Sequence, residues 1–138
     1  MKNIILKLLK ECDNDSKSKS YQAEKELCKI LNGVIEKLEK IQDIVGYYVW
    51  NFENIDSIDT EYYGSWLDKL PELIRCNDDS FIFRAEWLDC DLKEYFNMLL
   101  EKRKSGLATT ISNVENGLNK HKEELKRIEN LKFEDIKL

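Results

Sequence analysis

The chain is poor in the residues that most often carry chemistry. Its 138 residues include one histidine, His121, one proline, Pro71, and five glycines. Four cysteines stand at Cys12, Cys28, Cys76 and Cys90, far apart and with no C-x-x-C pair among them. Zinc sites draw on closely spaced soft ligands that converge, and this pattern supplies none. Asp89 and Asp91 flank Cys90 and disfavour a thiolate there. The cysteines therefore read as reduced, packed thiols. Neither G-x-x-x-x-G-K-[ST] nor G-x-G-x-x-G occurs, so there is no loop to cradle a phosphate. His121 sits in the polar run Asn119-Lys120-His121-Lys122-Glu123-Glu124 and is expected to be a half-buried structural histidine. These absences lead to the expectation of a non-enzymatic protein with no cofactor, catalytic residue or metal site.

Long apolar runs are missing too. Lys7 and Lys10 interrupt the apolar N-terminus, no small-residue cleavage site follows, and no stretch approaches the roughly 18 apolar residues of a membrane span. A cytoplasmic protein without membrane contact is expected. With 42% apolar and 36% charged residues, the length suits one domain over 1–138 with a sizeable core, and the scarcity of glycine and proline favours helix.

Hydrophobic spacing predicts an all-α helical bundle. Ile5, Leu8, Leu9 and Cys12 mark a short first helix, and residues 13–20 a loop in which Ser20 caps the next. Leu27, Leu31, Val34, Leu38, Ile41, Val45 and Tyr48 alternate steps of four and three, a heptad seam that predicts a long helix over about 21–52. Gly46 offers an earlier end, and 47–52 is β-prone. Tyr63, Trp66, Leu67 and Leu70 predict a helical face closed by Pro71, with Leu73 and Ile74 in a further turn. Residues 76–80 break the chain. For 81–88 helix is favoured, with alternation of Phe81, Phe83, Ala85 and Trp87 leaving a short β-hairpin as the alternative.

A second seam runs through Leu107, Ile111, Val114, Leu118, His121, Leu125 and Ile128, on a long helix over about 91–130. Uninterrupted from 92 to 130 it would be about 58 Å long, so a break or bend is expected at Ser105-Gly106. Residues 131–138 form a tail.

Charge is unevenly spread. The net formal charge is −5, made up of +1 over residues 1–50, −8 over 51–100 and +2 over 101–138. Twelve of the fourteen aromatic residues fall between Tyr47 and Phe96. Aromatic anchors in an anionic field suit a protein partner with a basic surface, because charge speeds encounter and rings supply burial. The candidate contacts in this 51–96 subregion are Asp56, Asp59, Glu61, Tyr62, Asp78, Asp79, Glu86, Trp87, Asp89 and Asp91. The competing reading makes the aromatics core and the acids a solvated rim.

The expected function is protein binding by a small acidic inhibitor or immunity-type protein, in the manner of antitoxins, nuclease immunity proteins and phage anti-defence inhibitors. Such proteins block a nucleic-acid-handling partner by filling its basic groove. The first alternative is a structural helical subunit, of a ribonucleoprotein or other assembly, with a homodimer through the heptad seams. The second is an all-α, magnesium-dependent nucleotide hydrolase. Its acidic spacing fails at Arg127 in Glu123-Glu124-Leu125-Lys126-Arg127, and Asp56 and Asp59 fall in a predicted loop. Direct nucleic-acid binding is not expected at a pI near 5.1.

Overall fold

The computed structural model describes residues 1–63, 67–130 and 133. They are mostly helical, with one small antiparallel hairpin. In chain order the elements are α1 (Lys2–Cys12), α2 (Lys17–Val45), β1 (Leu73–Cys76), β2 (Phe81–Arg84), a 3-10 turn (Ala85–Asp89) and α3 (Leu92–Glu129). The chain divides into two compact units, Met1–Leu99 and Leu100–Leu138.

In the first unit, α1 buries the four apolar residues of its predicted face against α2. The connection is shorter than expected. Ser16 stands at the N-cap of α2, its amide held by Asn14 Oδ1 at 2.9 Å. Ser20 is inside the helix, and its hydroxyl donates to the Cys12 carbonyl at the end of α1. A serine in the first turn thus closes the helical corner instead of starting the helix.

α2 ends at Val45, before the predicted limit of 52. Gly46 takes a left-handed φ of 77°, and its amide donates to Gln42 O at 2.7 Å. That geometry suits glycine and halts the helix, whatever seam the next residues continue. The chain then runs back along α2, and over 47–56 it lies in no strand. Two side-chain amides replace the ladder. Gln42 Oε1 accepts from the Val49 and Trp50 amides, both at 3.0 Å, while its Nε2 donates to Trp50 O at 3.1 Å. Asn32 repeats the arrangement on Ile55, accepting from its N–H and donating to its C=O at 2.8 Å each. The spans match: ten helical residues rise about 15 Å, and five extended residues cover about 16 Å.

The hairpin corrects two expectations. Leu73 and Ile74 belong to β1, not to a helical turn, and residues 81–84 form β2, not helix. The register pairs Leu73 with Arg84 and Cys76 with Phe81. Period-two burial explains the choice: Ile74, Cys76, Phe81 and Phe83 all face the core. The second edge of β1 is also covered. The Asp59 amide donates to Arg75 O and the Asn77 amide to Ser57 O, each at 2.9 Å. The buried Tyr63 hydroxyl donates to Leu73 O and accepts from the Arg75 amide. Tyr63 lies in a turn over residues 61–63, and Leu67 and Leu70 are not helical either, so the expected 63–70 helix is absent where described; Trp66 lies outside the described residues.

Trp87 organises the aromatic core. The rings of Trp50, Phe52 and Phe83 stand edge-on to it at 5.6, 5.1 and 5.0 Å, and Phe81 is tilted at 6.2 Å. Edge-to-face contacts of this kind add to the burial of apolar area. The sheet, the 3-10 turn and the loop over 46–63 therefore close the core that an all-α bundle was expected to build from helices.

α3 starts at Asp91, whose Oδ1 accepts from the Lys93 and Glu94 amides at 3.0 and 3.2 Å. Its first turns bury Tyr95 and Leu99. The Tyr95 hydroxyl donates to Gln42 Oε1 at 2.8 Å, which fully occupies that buried oxygen.

In the second unit α3 passes Ser105 and Gly106 without the expected break. Thr109 and Thr110 return their hydroxyls to the Ser105 and Gly106 carbonyls, both at 3.0 Å, so the glycine step keeps its hydrogen bonds. Every residue from 101 to 130 is exposed except Gly117, which is intermediate. His121 is therefore exposed and not half-buried. Of the tail only Phe133 is described, and it is exposed.

Candidate functional site

Asn77, Asp78 and Asp79 follow one another in the left-handed region, with φ of 55, 54 and 69°. Three consecutive non-glycine residues there are strained, each by on the order of 1 kcal/mol or more. Asn77 holds the turn in place. Its Oδ1 accepts from the Asp56 and Ser57 amides at 2.9 and 3.3 Å, and its Nδ2 donates to Asn54 O at 2.9 Å. Asn and Asp tolerate this backbone better than most residues, which is why this composition can form so tight a turn.

The turn carries Asp78 and Asp79 to the segment over 58–61. Ile58, Asp59, Thr60, Glu61, Asp78 and Asp79 line a depression of about 370 Å³. Asp59 is pushed above the usual carboxylate range, first by its partial burial, then by a hydrogen bond shared with Asp79 and by that neighbour's charge. Arg75 faces Asp79 at 3.5 Å and lies 4.2 Å from the ring centre of Tyr62. One arginine is thus set against four carboxylates among the described residues.

The expected contact set divides accordingly. Asp59, Glu61, Asp78 and Asp79 come together, with the exposed Tyr62 reached through Arg75. Asp56 lies instead on a groove of about 680 Å³ along α2, beside Tyr21, Glu24, Cys28, Asn32 and Gly33. The rest have local duties. Glu86 pairs with Arg84 at 3.8 Å, Asp89 pairs with Lys2, and Asp91 caps α3. Trp87 is 7% exposed and belongs to the core, so its ring is not a surface anchor.

The sequence reading missed the α2 groove. It combines the buried Cys28 thiol, the exposed Tyr21 ring and charges of both signs at helical spacing along α2, but its other wall, residues 54–56, is distant in the chain and gave no signal. Burial pushes the Cys28 thiol up to about 11, away from the reactive thiolate. Cys12 and Cys76 are likewise pushed up by burial, to about 12.

An exposed apolar feature lies on α3. Leu107, Ile111, Val114, Leu118, Leu125 and Ile128 are 46 to 65% exposed. They sit at spacings that put them on one face of a helix, with His121 among them. On the other faces, Glu101 pairs with Lys104 at 3.6 Å and Glu124 with Arg127 at 2.7 Å.

Among the described residues, no group of three or more His, Cys, Asp and Glu side chains is placed to hold a metal ion. Glu123 and Glu124 lie on the exposed part of α3, where Arg127 engages Glu124. Among the described residues, no helix is long and apolar enough to cross a membrane. No family model, curated protein or solved structure matches the chain. What supports a function is therefore the surface itself: an apolar seam on α3 and an acidic corner on the hairpin turn.

Proposed function

We propose that the protein is a non-enzymatic protein-binding module that takes an amphipathic helix along the 107–128 seam of α3. One observation carries the reading: six large aliphatic residues in a four-three repeat stand open on a single helix face. A helix with that pattern buries its stripe against another helix, and isolated helices are marginal in water. The intrinsic propensity of the segment is poor. Gly106 and Gly117 each cost about 1 kcal/mol relative to alanine, and Thr109, Thr110, Ile111 and Val114 are β-branched. A partner on the seam would supply the stability that the sequence lacks locally.

The test compares the full chain with Leu118→Glu as baits for binding partners, a second copy included. Leu118 is 52% exposed, so the substitution leaves the folded chain intact. Wild type should retain a stoichiometric helical partner at high salt, and Leu118→Glu should lose it. Equal behaviour of the two chains would refute the reading.

The acidic corner favours a second reading, in which the chain inhibits a basic, nucleic-acid-handling protein. The support is the crowding of Asp59, Glu61, Asp78 and Asp79 around one depression, the last two carried there by the strained turn. Asp78→Asn with Asp79→Asn removes the charge and keeps residues that accept the left-handed backbone. Such a partner should dissociate as salt rises and bind the double variant weakly. A partner indifferent to both changes would exclude this reading.

A further inference from the structure

Resting on the reading that the α3 seam takes a helix, we infer that the helix is α3 of a second copy, antiparallel, with Glu115 of each chain opposite Lys122 of the other. The argument is charge complementarity along the seam. In heptad lettering Ile111, Leu118 and Leu125 occupy a, and Leu107, Val114, His121 and Ile128 occupy d. The flanking e positions are Glu101, Ala108, Glu115, Lys122 and Glu129, and the g positions include Arg103, Thr110, Gly117 and Glu124.

A parallel pair in register sets each g against the e five residues further along the other chain. Glu124 then meets Glu129 twice, while Glu115 faces Thr110 and Lys122 faces Gly117, so repulsion goes uncompensated. An antiparallel pair sets e against e and g against g, with a packing on d. Four registers keep the aliphatic stripes overlapping. One of them, Leu107 on Leu118, sets Glu101 against Lys122 and Arg103 against Glu124 but stacks Lys104 on His121 in the seam. Pairing Val114 with Leu118 places Glu115 on Glu115 and Glu101 on Glu129. Pairing Leu118 with Ile128 places Glu115 on Glu129, Lys122 on Lys122 and Glu124 on Glu124.

The remaining register packs Ile111 on Ile128, Val114 on Leu125 and Leu118 on His121. It sets Glu115 against Lys122 twice, with Ala108 beside Glu129 and Gly117 beside Glu124. It brings opposite charges together without a like pair and, unlike the register of Leu107 on Leu118, without stacking Lys104 on His121 in the seam. Like charges across a helix interface select against wrong pairings, so the flanking charges of α3, with Lys104 kept from the seam, distinguish this arrangement from its competitors. It also puts a polar residue, His121, at one defined layer, a device that fixes register at some loss of affinity.

The experiment is sedimentation equilibrium of the full chain and three variants, with a disulfide test of direction. Wild type should dimerise. Glu115→Lys and Lys122→Glu should each weaken the dimer by about tenfold, and the double reversal should restore it. In a Cys90→Ser background, a mixture of Ile111→Cys and Ile128→Cys chains should form the mixed disulfide under mild oxidation, and neither chain should couple to itself. A dimer that ignores the charge reversals, or in which Ile128→Cys couples to itself, overturns the antiparallel register and leaves the seam as a helix-binding site. A chain monomeric at all concentrations overturns self-pairing. If it still captures a partner lost in Leu118→Glu, only this inference has failed; if it captures none, the reading beneath it has failed too.

Discussion

At the scale of single residues, stability rests on a few side-chain amides that perform backbone work. Gln42 is 1% exposed, and its Oε1 serves the amides of Val49 and Trp50 and the hydroxyl of Tyr95. Gln42→Leu keeps the volume and removes the acceptor, leaving three donors to be desolvated unpaired. The expected loss is about 2–4 kcal/mol, against about 0.5–1.5 kcal/mol for Tyr95→Phe, which removes one donor and leaves the acceptor satisfied. Urea unfolding followed by tryptophan fluorescence at fixed protein concentration checks both; equal losses would mean that the loop does not depend on this amide. The buried thiols predict a pH response. Cys12, Cys28 and Cys76 ionise near 9.0 in an ordinary setting but only at about 12, 11 and 12 in the fold, because burial penalises the thiolate. The unfolded chain therefore sheds these protons first, and the thiols' contribution to stability, full below pH 9, is lost as pH rises from 9 toward 12. Each contributes a slope of up to about 1.4 kcal/mol per pH unit. The urea midpoint should fall above pH 9, and Cys76→Ala should make the fall shallower; a midpoint independent of pH between 8 and 11 would contradict the burial of these thiols.

At the scale of elements, backbone sign separates positions that composition makes look alike. Gly46 has φ of 77° and ends α2, whereas Gly106 and Gly117 are helical, with open space where a Cβ would stand. Alanine should therefore cost about 1 kcal/mol at Gly46 and stabilise α3 by a similar amount at Gly106 or Gly117. At the hairpin turn, Asp78→Gly should stabilise by about 1 kcal/mol, since glycine accepts φ of 54° without strain and a carboxylate leaves a crowded anionic corner. Thermal melts of the four variants against wild type test these signs together, and a stabilised Gly46→Ala would refute the left-handed cap. The same contrast explains what the sequence made legible. The first helix, the long second helix, the breaker over 76–80 and the packed cysteines follow from apolar period and thiol surroundings, which local residues set. The end of α2 was less legible, because Tyr48 and Phe52 extend the seam arithmetic while one left-handed glycine stops the helix. Residues 73–76 and 81–84 were harder still, because the alternation of so short a strand as Phe81–Arg84 does not outweigh a helical reading, and the strands' partners lie across a turn or in the 57–63 loop. The acidic corner was half legible. Charge counting found Asp59, Glu61, Asp78 and Asp79, but only the left-handed turn gathers them, while Asp89 and Asp91 are taken by Lys2 and the α3 cap. Trp87 was misplaced because a tryptophan between acids reads alike as anchor or core, and the rings that enclose it come from distant segments.

At the scale of the whole molecule, the two units differ in how their helices are held. In Met1–Leu99, α1 and α2 bury a face each, and the loop, sheet and α3 start add Ile55, Phe83 and Leu99 to the same core. In the unit from Leu100 onward, the described helix over 100–129 has no buried residue, while two glycines and several β-branched residues lower its propensity. Helical stability in proteins comes chiefly from burying an amphipathic face, so this segment depends on what covers its seam. Amide hydrogen exchange read by mass spectrometry separates the two cases. Protection of peptides over 100–129 should rise with protein concentration, by about threefold for a tenfold increase in the dimerising range, because opening requires dissociation and the monomer fraction of a homodimer falls as the square root of concentration. Protection over the α1, α2 and hairpin peptides should stay constant. Leu118→Glu should abolish the concentration dependence in the first set and leave the second unchanged. Protection over 100–129 that is high at every concentration would instead mean that the helix stands without a partner, and the exposed seam would then need no second chain to hold it.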